Sequence, residues 1–268
     1  MRHTIRRKRV NSQNIPGPVL SQAQRYAFFF DVDGTLADIQ LRPDDVSVSE
    51  EVIVNLKDLA RICGGAVALV SGRPISELDA LVSPLQLPLA GVHGAERRDL
   101  EGNLEQHALP EEIVSALSSL LQQRMAALPG TQLEMKGMAF ALHYRGAQHF
   151  QTQVMQLAES VIEQFSGLAL QPGKCVVEIK PQGINKGAAV AAFMQQAPFS
   201  GKTPVFLGDD VTDEAAFSTV NAMQGISVKV GEGCTEAAHR LPDVAAVNKW
   251  LAETLLQLDQ DEKMSVRS

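Results

Sequence analysis

The segment Tyr26-Ala27-Phe28-Phe29-Phe30 is an apolar run that ends in Asp31-Val32-Asp33-Gly34-Thr35-Leu36. A short, unbroken apolar run reads as a strand buried on both faces. Carboxylates at its end mark the point where that strand leaves the core. The same junction recurs twice. Ala66 to Val70 runs into Ser71-Gly72-Arg73, and Pro204 to Leu207 runs into Gly208-Asp209-Asp210-Val211-Thr212-Asp213-Glu214. Leu87 to Val92 and Ile226 to Val230 read as further strands. Helical patterns fill the gaps. Ser47 to Cys63 carries Val52, Leu56, Leu59 and Ala60 on one face, and Pro74 suits the first turn of the next helix. Gly187 to Met194, Asp213 to Val220 and about Val244 to Leu258 complete the set. Strands alternating with helices predict an α/β fold, a Rossmann-like parallel sheet covered on both sides.

The pattern breaks in the middle. Glu112 to Leu128 is helical, with Ile113, Leu117, Leu120 and Leu121 on one side, and Leu133 to Tyr144 reads as two strands around Gly137. Val154, Leu157, Val161 and Phe165 line a second helix, and Leu168 to Ile179 reads as a hairpin turning at Pro172-Gly173. This α-β-β-α-β-β module predicts a small antiparallel sheet with two helices, inserted into the α/β domain. The expected organisation is a leader over 1–24, a core over 25–107 and 183–268, and an α+β insert over 108–182.

Bulk properties narrow the classes. A chain of 268 residues can bury a sizeable core. A net charge of −7 argues against nucleic acid. No apolar run is long enough to span a membrane. Cys63, Cys175 and Cys234 are odd in number and lack metal-ligand spacing, so free thiols in a reducing cytoplasm are expected. A monomer is expected. The first 30 residues hold Arg2, Arg6, Arg7, Lys8, Arg9 and Arg25 and no acid. No apolar stretch follows to make a signal peptide, so a disordered basic tail is expected, with an RNA-binding or targeting arm as the alternative.

Ligand sites of open α/β sheets lie where parallel strands end, and the polar residues there form a consistent set. Asp31 is placed to attack phosphorus. Asp33, two residues on, is placed to protonate a leaving oxygen and then to activate water. Gly34 lets backbone amides approach phosphate. Ser71 offers a hydroxyl to a phosphate oxygen. Asn185-Lys186-Gly187 places a cation at a helix start. The carboxylates of 209–214 repel one another unless a cation sits among them, and magnesium accepts such ligands. Each motif has a plainer alternative: a capping turn at Asp31–Asp33, an N-cap at Ser71, a solvated surface lysine at 186, a capping box in 209–214.

Four such motifs in this order resemble the haloacid dehalogenase-like phosphohydrolases. The resemblance implies that Asp31 is the nucleophile and Asp33 the acid/base. It implies that Gly34, Thr35, Ser71, Gly72 and Lys186 hold the phosphoryl group. Mg2+ would be bound by Asp31, Asp33 (through its carbonyl) and Asp209, with Asp210 or Asp213 in support. The insert sits where that superfamily places its larger cap. Leu133 to Arg145, Gly173 to Pro181, and Gly91-Val92-His93-Gly94-Ala95-Glu96 look like the trehalose-6-phosphate phosphatases. By that likeness Glu134, Lys136, Arg145, Lys174 and Glu178 contact the disaccharide, and His93 is a looser candidate. The function implied is hydrolysis of trehalose 6-phosphate in trehalose biosynthesis. The alternatives are another sugar phosphate (sucrose 6-phosphate, a glycosyl-phosphoglycerate or a hexose phosphate), a phosphomutase, and a noncatalytic sugar-phosphate sensor.

Overall fold

A computed structural model describes residues 17–265, apart from 23–24, 41, 108, 137–138 and 174 and the side chains of 43, 136 and 261–265. The chain runs β1 (Tyr26–Phe30), α1 (Glu50–Ile62), β2 (Val67–Val70), α2 (Ile75–Val82), β3 (Leu89–Gly91), β4 (Glu96–Arg98) and β5 (Leu104–Gln106). It continues through α3 (Glu111–Ala126), β6 (Gln132–Lys136), β7 (Ala139–His143), α4 (Gln151–Gln164), β8 (Leu168–Gly173) and β9 (Val176–Pro181). It closes with α5 (Lys186–Phe193), β10 (Thr203–Gly208), α6 (Glu214–Ala222), β11 (Ile226–Val230), β12 (His239–Leu241) and α7 (Val244–Ser265).

The larger sheet has the order β12-β11-β10-β1-β2-β3-β4-β5. From β12 to β3 every pairing is parallel. Ala27 to Phe30 is wholly buried, as expected for a strand covered on both faces. Phe29 packs its ring on Phe193 of α5 and on Phe199. The chain builds β2 and β3 to one side of β1 and later returns on the other with β10. The strand order therefore reverses between β1 and β10. Phe30 pairs with Leu207, so Asp31 and Gly208 leave the sheet side by side. This crevice is the switch point at which α/β sheets bind ligands.

The sheet is mixed rather than wholly parallel. β4 and β5 continue it past β3 in the antiparallel sense. The expected strand Leu87 to Val92 shrinks to Leu89–Gly91, and the chain turns back at 92–95. Neither added strand has an apolar run to announce it. Ion pairs hold them instead: Arg97 to Glu105 at 2.5 Å and Arg98 to Asp79 at 2.6 Å.

The smaller sheet is antiparallel, in the order β6-β7-β9-β8. One face carries Phe140, Leu142, Val177 and Ile179 onto Leu117, Leu121 and Met125 of α3 and Val154, Ala158 and Val161 of α4. On the other face the registers set Glu134, Ala141, Glu178 and Gln171 in one row across all four strands. The second hairpin turns after Gly173, later than its Pro-Gly pair suggests. Pro172 and Gly173 still pair with Val177 and Val176, and Cys175 takes the left-handed conformation at φ 62°. The terminal helix extends past Leu258 to Ser265. Of the expected leader, residues 1–16 lie outside the described residues. Its last part is docked, not free: Leu20 is buried, and Trp250 of α7 donates to the Pro18 carbonyl at 2.9 Å.

Helices α5 and α6 set the height of the site. A Cβ on Gly187 would lie 2.3 Å from the Ala215 carbonyl oxygen and 2.5 Å from Thr219 Oγ1. Gly187→Ala is expected to force these helices apart and destabilise the protein by about 1–3 kcal/mol. Urea unfolding measures this; an unchanged midpoint would count against close packing here.

Candidate active site

The loop after β1 is wound tightly. The Val32 carbonyl accepts from the amides of Thr35, Leu36 and Ala37, and the Gly34 amide donates to Ala37 at 2.7 Å. Gly34 takes φ 77°, and a Cβ there would lie 2.2 Å from Asp209 Oδ2. Glycine is required on both counts, and its absence of side chain brings the Asp209 carboxylate onto the loop. The Thr35 hydroxyl is fully buried and has no hydrogen-bond partner among the described residues. Such a group is costly unless it serves a ligand.

Asp31, Asp209 and Asp213 each present an oxygen within 4.8 Å of the others. Lys186 enters this group from the first turn of α5, whose N-cap Asn185 accepts from the Ala188 amide. Its Nζ lies 2.8 Å from Asp31 Oδ1 and 2.7 Å from Asp213 Oδ1, and all three side chains are buried. Asp213 is further fixed by the Asp210 amide, which donates to its Oδ2 at 3.0 Å. Gly208 leaves room for it: a Cβ there would lie 2.3 Å from the Asp213 carboxyl carbon.

Burial pushes the Asp31 carboxyl well up; Lys186 opposes this, while Asp213 and Asp209 add to it. Burial and Asp213 likewise push Asp209 up to about 6, against the pull of Lys186. Lys186 itself is lowered by burial, but Asp213 and Asp31 more than compensate and hold it firmly protonated. Negative charge is thus in surplus. An all-oxygen donor set with surplus charge fits a hard divalent cation.

Between Asp213 and Asp210, the two acids that the motif leaves open, Asp213 belongs to the cluster. Asp210 is exposed, lies outside it, and accepts from the Val211 amide as a cap at 2.5 Å. The plainer alternative, a capping box, is therefore present as well, formed by Asp210 and Asp213. Asp33 turns its carboxylate to Arg73, 2.7 Å from Nε and 2.8 Å from an NH2 nitrogen. Ser71 is buried at the end of β2, and its Oγ accepts from the Arg73 amide at 3.3 Å. That leaves its proton for another acceptor.

The smaller sheet meets this loop region through its polar face. His93 stands over Gly72, where a Cβ would lie 2.7 Å from its ring. Its Nε2 lies 3.4 Å from Glu178 Oε2, across the two sheets. Burial lowers the His93 imidazole from its ordinary value, although Glu178 opposes this. Val92 and His93 hold left-handed backbone at φ 47° and 56°, conformations that side chains disfavour. Val92, Ala95 and Ala139 add an apolar contact between the two units. Lys180, two residues beyond Glu178, is buried and hydrogen-bonded to Gln171; burial lowers it to about 8.

The remaining expected sugar contacts are not all drawn together. Glu134 pairs with His143 at 2.8 Å, and Arg145 is exposed beyond the end of β7. The Lys136 side chain and Lys174 lie outside the described residues. Sequence reading gave no site role to three groups found here. Arg73 stands inside a motif already singled out. Lys180 alternates with Glu178 along β9. Lys229 is a buried cation between Val228 and Val230 of β11, hydrogen-bonded to the Asp209 carbonyl; a charge between such residues is the signal that could have found it.

Residues 29–243 match the family model described as trehalose-phosphatase. A curated protein named trehalose-6-phosphate phosphatase from Escherichia coli (strain K12) is 52% identical over 236 residues, covering 88% of this chain and 89% of that one. One from Sinorhizobium fredii (strain NBRC 101917 / NGR234), named a probable trehalose-phosphate phosphatase, is 42% identical over 234 residues, covering 86% and 88%. Among solved structures, trehalose-6-phosphate phosphatase from Aspergillus fumigatus superposes with a TM-score of 0.69 at 26% identity, covering 90% of this chain and 99% of that one. The C-terminal domain of C. albicans trehalose-6-phosphate phosphatase superposes with a TM-score of 0.75 at 21% identity, covering 88% and 94%, a likeness of fold.

Ionising Asp209 works against the fold. A carboxyl raised from 3.8 to about 6 contributes stability that is present below 3.8 and lost as pH rises through about 6. The metal-free protein is expected to lose thermal stability over this range, and Asp209→Asn to flatten the slope. Thermal melts in chelator from pH 4 to pH 7 measure it; an identical slope in the variant would refute the assignment.

Proposed function

Because the chain belongs to the trehalose-phosphatase family, we propose that it hydrolyses trehalose 6-phosphate to trehalose and phosphate through an aspartyl-phosphate on Asp31. The observation that carries this is the buried Asp31 at the end of β1, with one oxygen held by Lys186 and Asp209 and Asp213 beside it. In this reading 25–107 and 183–268 form the catalytic core and 108–182 the cap.

Asp31, Asp209 and Asp213 would hold Mg2+, with the Asp33 carbonyl completing the set. When bound, the ion neutralises charge on the phosphate oxygens and on the carboxylates around them. The chain's own groups do the rest. Lys186 keeps Asp31 aligned by one oxygen and leaves the other free to attack. Ser71 and the partnerless Thr35 hydroxyl donate to phosphate oxygens; the amides of Gly34 and Thr35, expected to do so, are instead bonded within the loop. The Asp31–phosphorus bond forms as the bond to the sugar oxygen breaks, and Asp33 gives that oxygen its proton. Water then attacks phosphorus, gives its proton to Asp33, and releases Asp31. Catalysis rests on positioning and charge compensation.

The polar face of the smaller sheet supports the sugar assignment. Glu178, His93, Glu134, Lys136, Arg145 and Lys174 are the proposed hydroxyl ligands. Of these, Glu134 and Glu178 stand in one row of that face, and charged acceptors of this kind suit a disaccharide with many hydroxyls. The absence of a disulfide among the described residues supports the cytoplasm as the place of action.

Phosphate release from trehalose 6-phosphate, measured with Mg2+ and with chelator, tests the reading. Release should vanish in chelator and in Asp31→Asn, which should still fold. Glu178→Ala should lose at least about tenfold on trehalose 6-phosphate but little on an aryl phosphate, since it removes a charge-assisted contact. Normal turnover by Asp31→Asn would end the nucleophile assignment, and equal loss on both substrates the sugar-contact assignment.

A further inference from the structure

The acid/base group is not free in this structure. Both oxygens of Asp33 accept from one guanidinium, that of Arg73, whose remaining terminal nitrogen lies 3.0 Å from Glu77 Oε2. The Arg73 side chain is only 11% exposed, against 34% for Asp33. Hydrogen bonding to Asp33 is the largest influence raising the guanidinium above its ordinary value.

The backbone beneath Arg73 is pinned from both sides. Its amide donates to Ser71 Oγ at 3.3 Å, and its carbonyl accepts from the Val92 amide at 3.0 Å. Gly91 approaches so closely that a Cβ there would lie 2.8 Å from the Arg73 carbonyl oxygen. The guanidinium therefore stands on the same rigid loop as Ser71. Asp33 reaches it from the other loop, across 40 positions in sequence. A planar fork matches a carboxylate at two points, which a lysine ammonium cannot do.

We propose that Arg73 is the positioning residue for Asp33. It fixes where the Asp33 carboxyl stands, so that the acid's proton is aimed at the sugar oxygen as that oxygen leaves phosphorus. This rests on the reading of Asp33 as the acid/base. With both oxygens accepting from one guanidinium, the carboxylate is held in the plane of the fork. Asp33 gives that proton to the sugar oxygen and takes one back from the attacking water. Phosphorus chemistry stays on Asp31, and the only transfer at Asp33 is that proton, from water to sugar oxygen over one cycle.

The leaving group tests this. A sugar alkoxide needs a proton on departure and 4-nitrophenolate does not, and kcat/KM reports the steps through formation of the phospho-enzyme. Arg73→Ala, Arg73→Lys, Asp33→Asn and the double variant Asp33→Asn/Arg73→Ala are assayed on trehalose 6-phosphate and on 4-nitrophenyl phosphate, with thermal melts alongside. A general acid contributes about 10²–10⁴-fold. Both Arg73 variants are expected to lose about tenfold or more on the sugar phosphate and less than about threefold on the aryl phosphate. Adding Arg73→Ala to Asp33→Asn should cost nothing further, as for residues that act as a unit. Should Arg73→Ala not fold, Arg73→Lys decides. If Asp33→Asn fails to discriminate between the substrates, the acid/base reading falls and the proposal with it. If Asp33→Asn discriminates, then Arg73 variants that lose equally on both substrates, or lose nothing, overturn the proposal alone. Losses that add in the double variant do so too, by showing that Arg73 acts other than through Asp33.

Discussion

One ammonium group organises the centre of this protein. Lys186 Nζ is buried between Asp31 and Asp213, and those two carboxylates come from strands that the chain lays down far apart in sequence. In general, removing one partner of a buried pair costs about 3–5 kcal/mol, because the survivor is left uncompensated. The pair therefore ties three junctions together: the end of β1, the start of α5 and the start of α6. Gly208 and Gly187 give up side chains so that Asp213 and the two helices can come this close. The arrangement also explains why the cluster carries surplus negative charge. One lysine shared by two carboxylates cannot neutralise a third, and Lys229 reaches only the backbone of Asp209.

The second unit is joined to this centre through few contacts. His93 is the hub. Its ring covers Gly72, its amide donates to the Ser71 carbonyl at 2.9 Å, and its imidazole faces Glu178. Left-handed backbone at a histidine is unfavourable by itself. The surrounding hydrogen bonds over-determine it, and the result is a side chain held between the loop after β2 and the polar face of the smaller sheet.

How much of this was legible in the sequence follows from physics. β1, β2 and β10 are buried on both faces, so their apolar runs announce them, and the polar residues at their ends fall at the switch point by topology alone. Asp31, Ser71 and Asp209 could be found that way, and Lys186 as a cation at a helix start. The edge strands β4 and β5 could not. Ion pairs hold them in place of an apolar face, and such pairs leave no periodic trace. The choice between Asp210 and Asp213 was equally hidden. Adjacent acids in one turn look alike until the helix start fixes which one points inward. The Asp33–Arg73 fork joins two loops whose proximity exists only once β1 and β2 pair.

Those edge strands have a consequence for how molecules of this protein meet one another. An open sheet offers unpaired amides and carbonyls at its margins, and a long flat margin recruits strands from other chains. Here one margin is β5, three exposed residues with Glu105 engaged by Arg97, and the other is β12, also three residues long. An incoming strand would find a single residue pair or two to dock on, beside charged side chains. The same irregularity that concealed these strands from a reading of the sequence thus guards the sheet against intermolecular zippering. The long apolar strands best suited to templating a fibril are kept at the centre, where no neighbour can reach them.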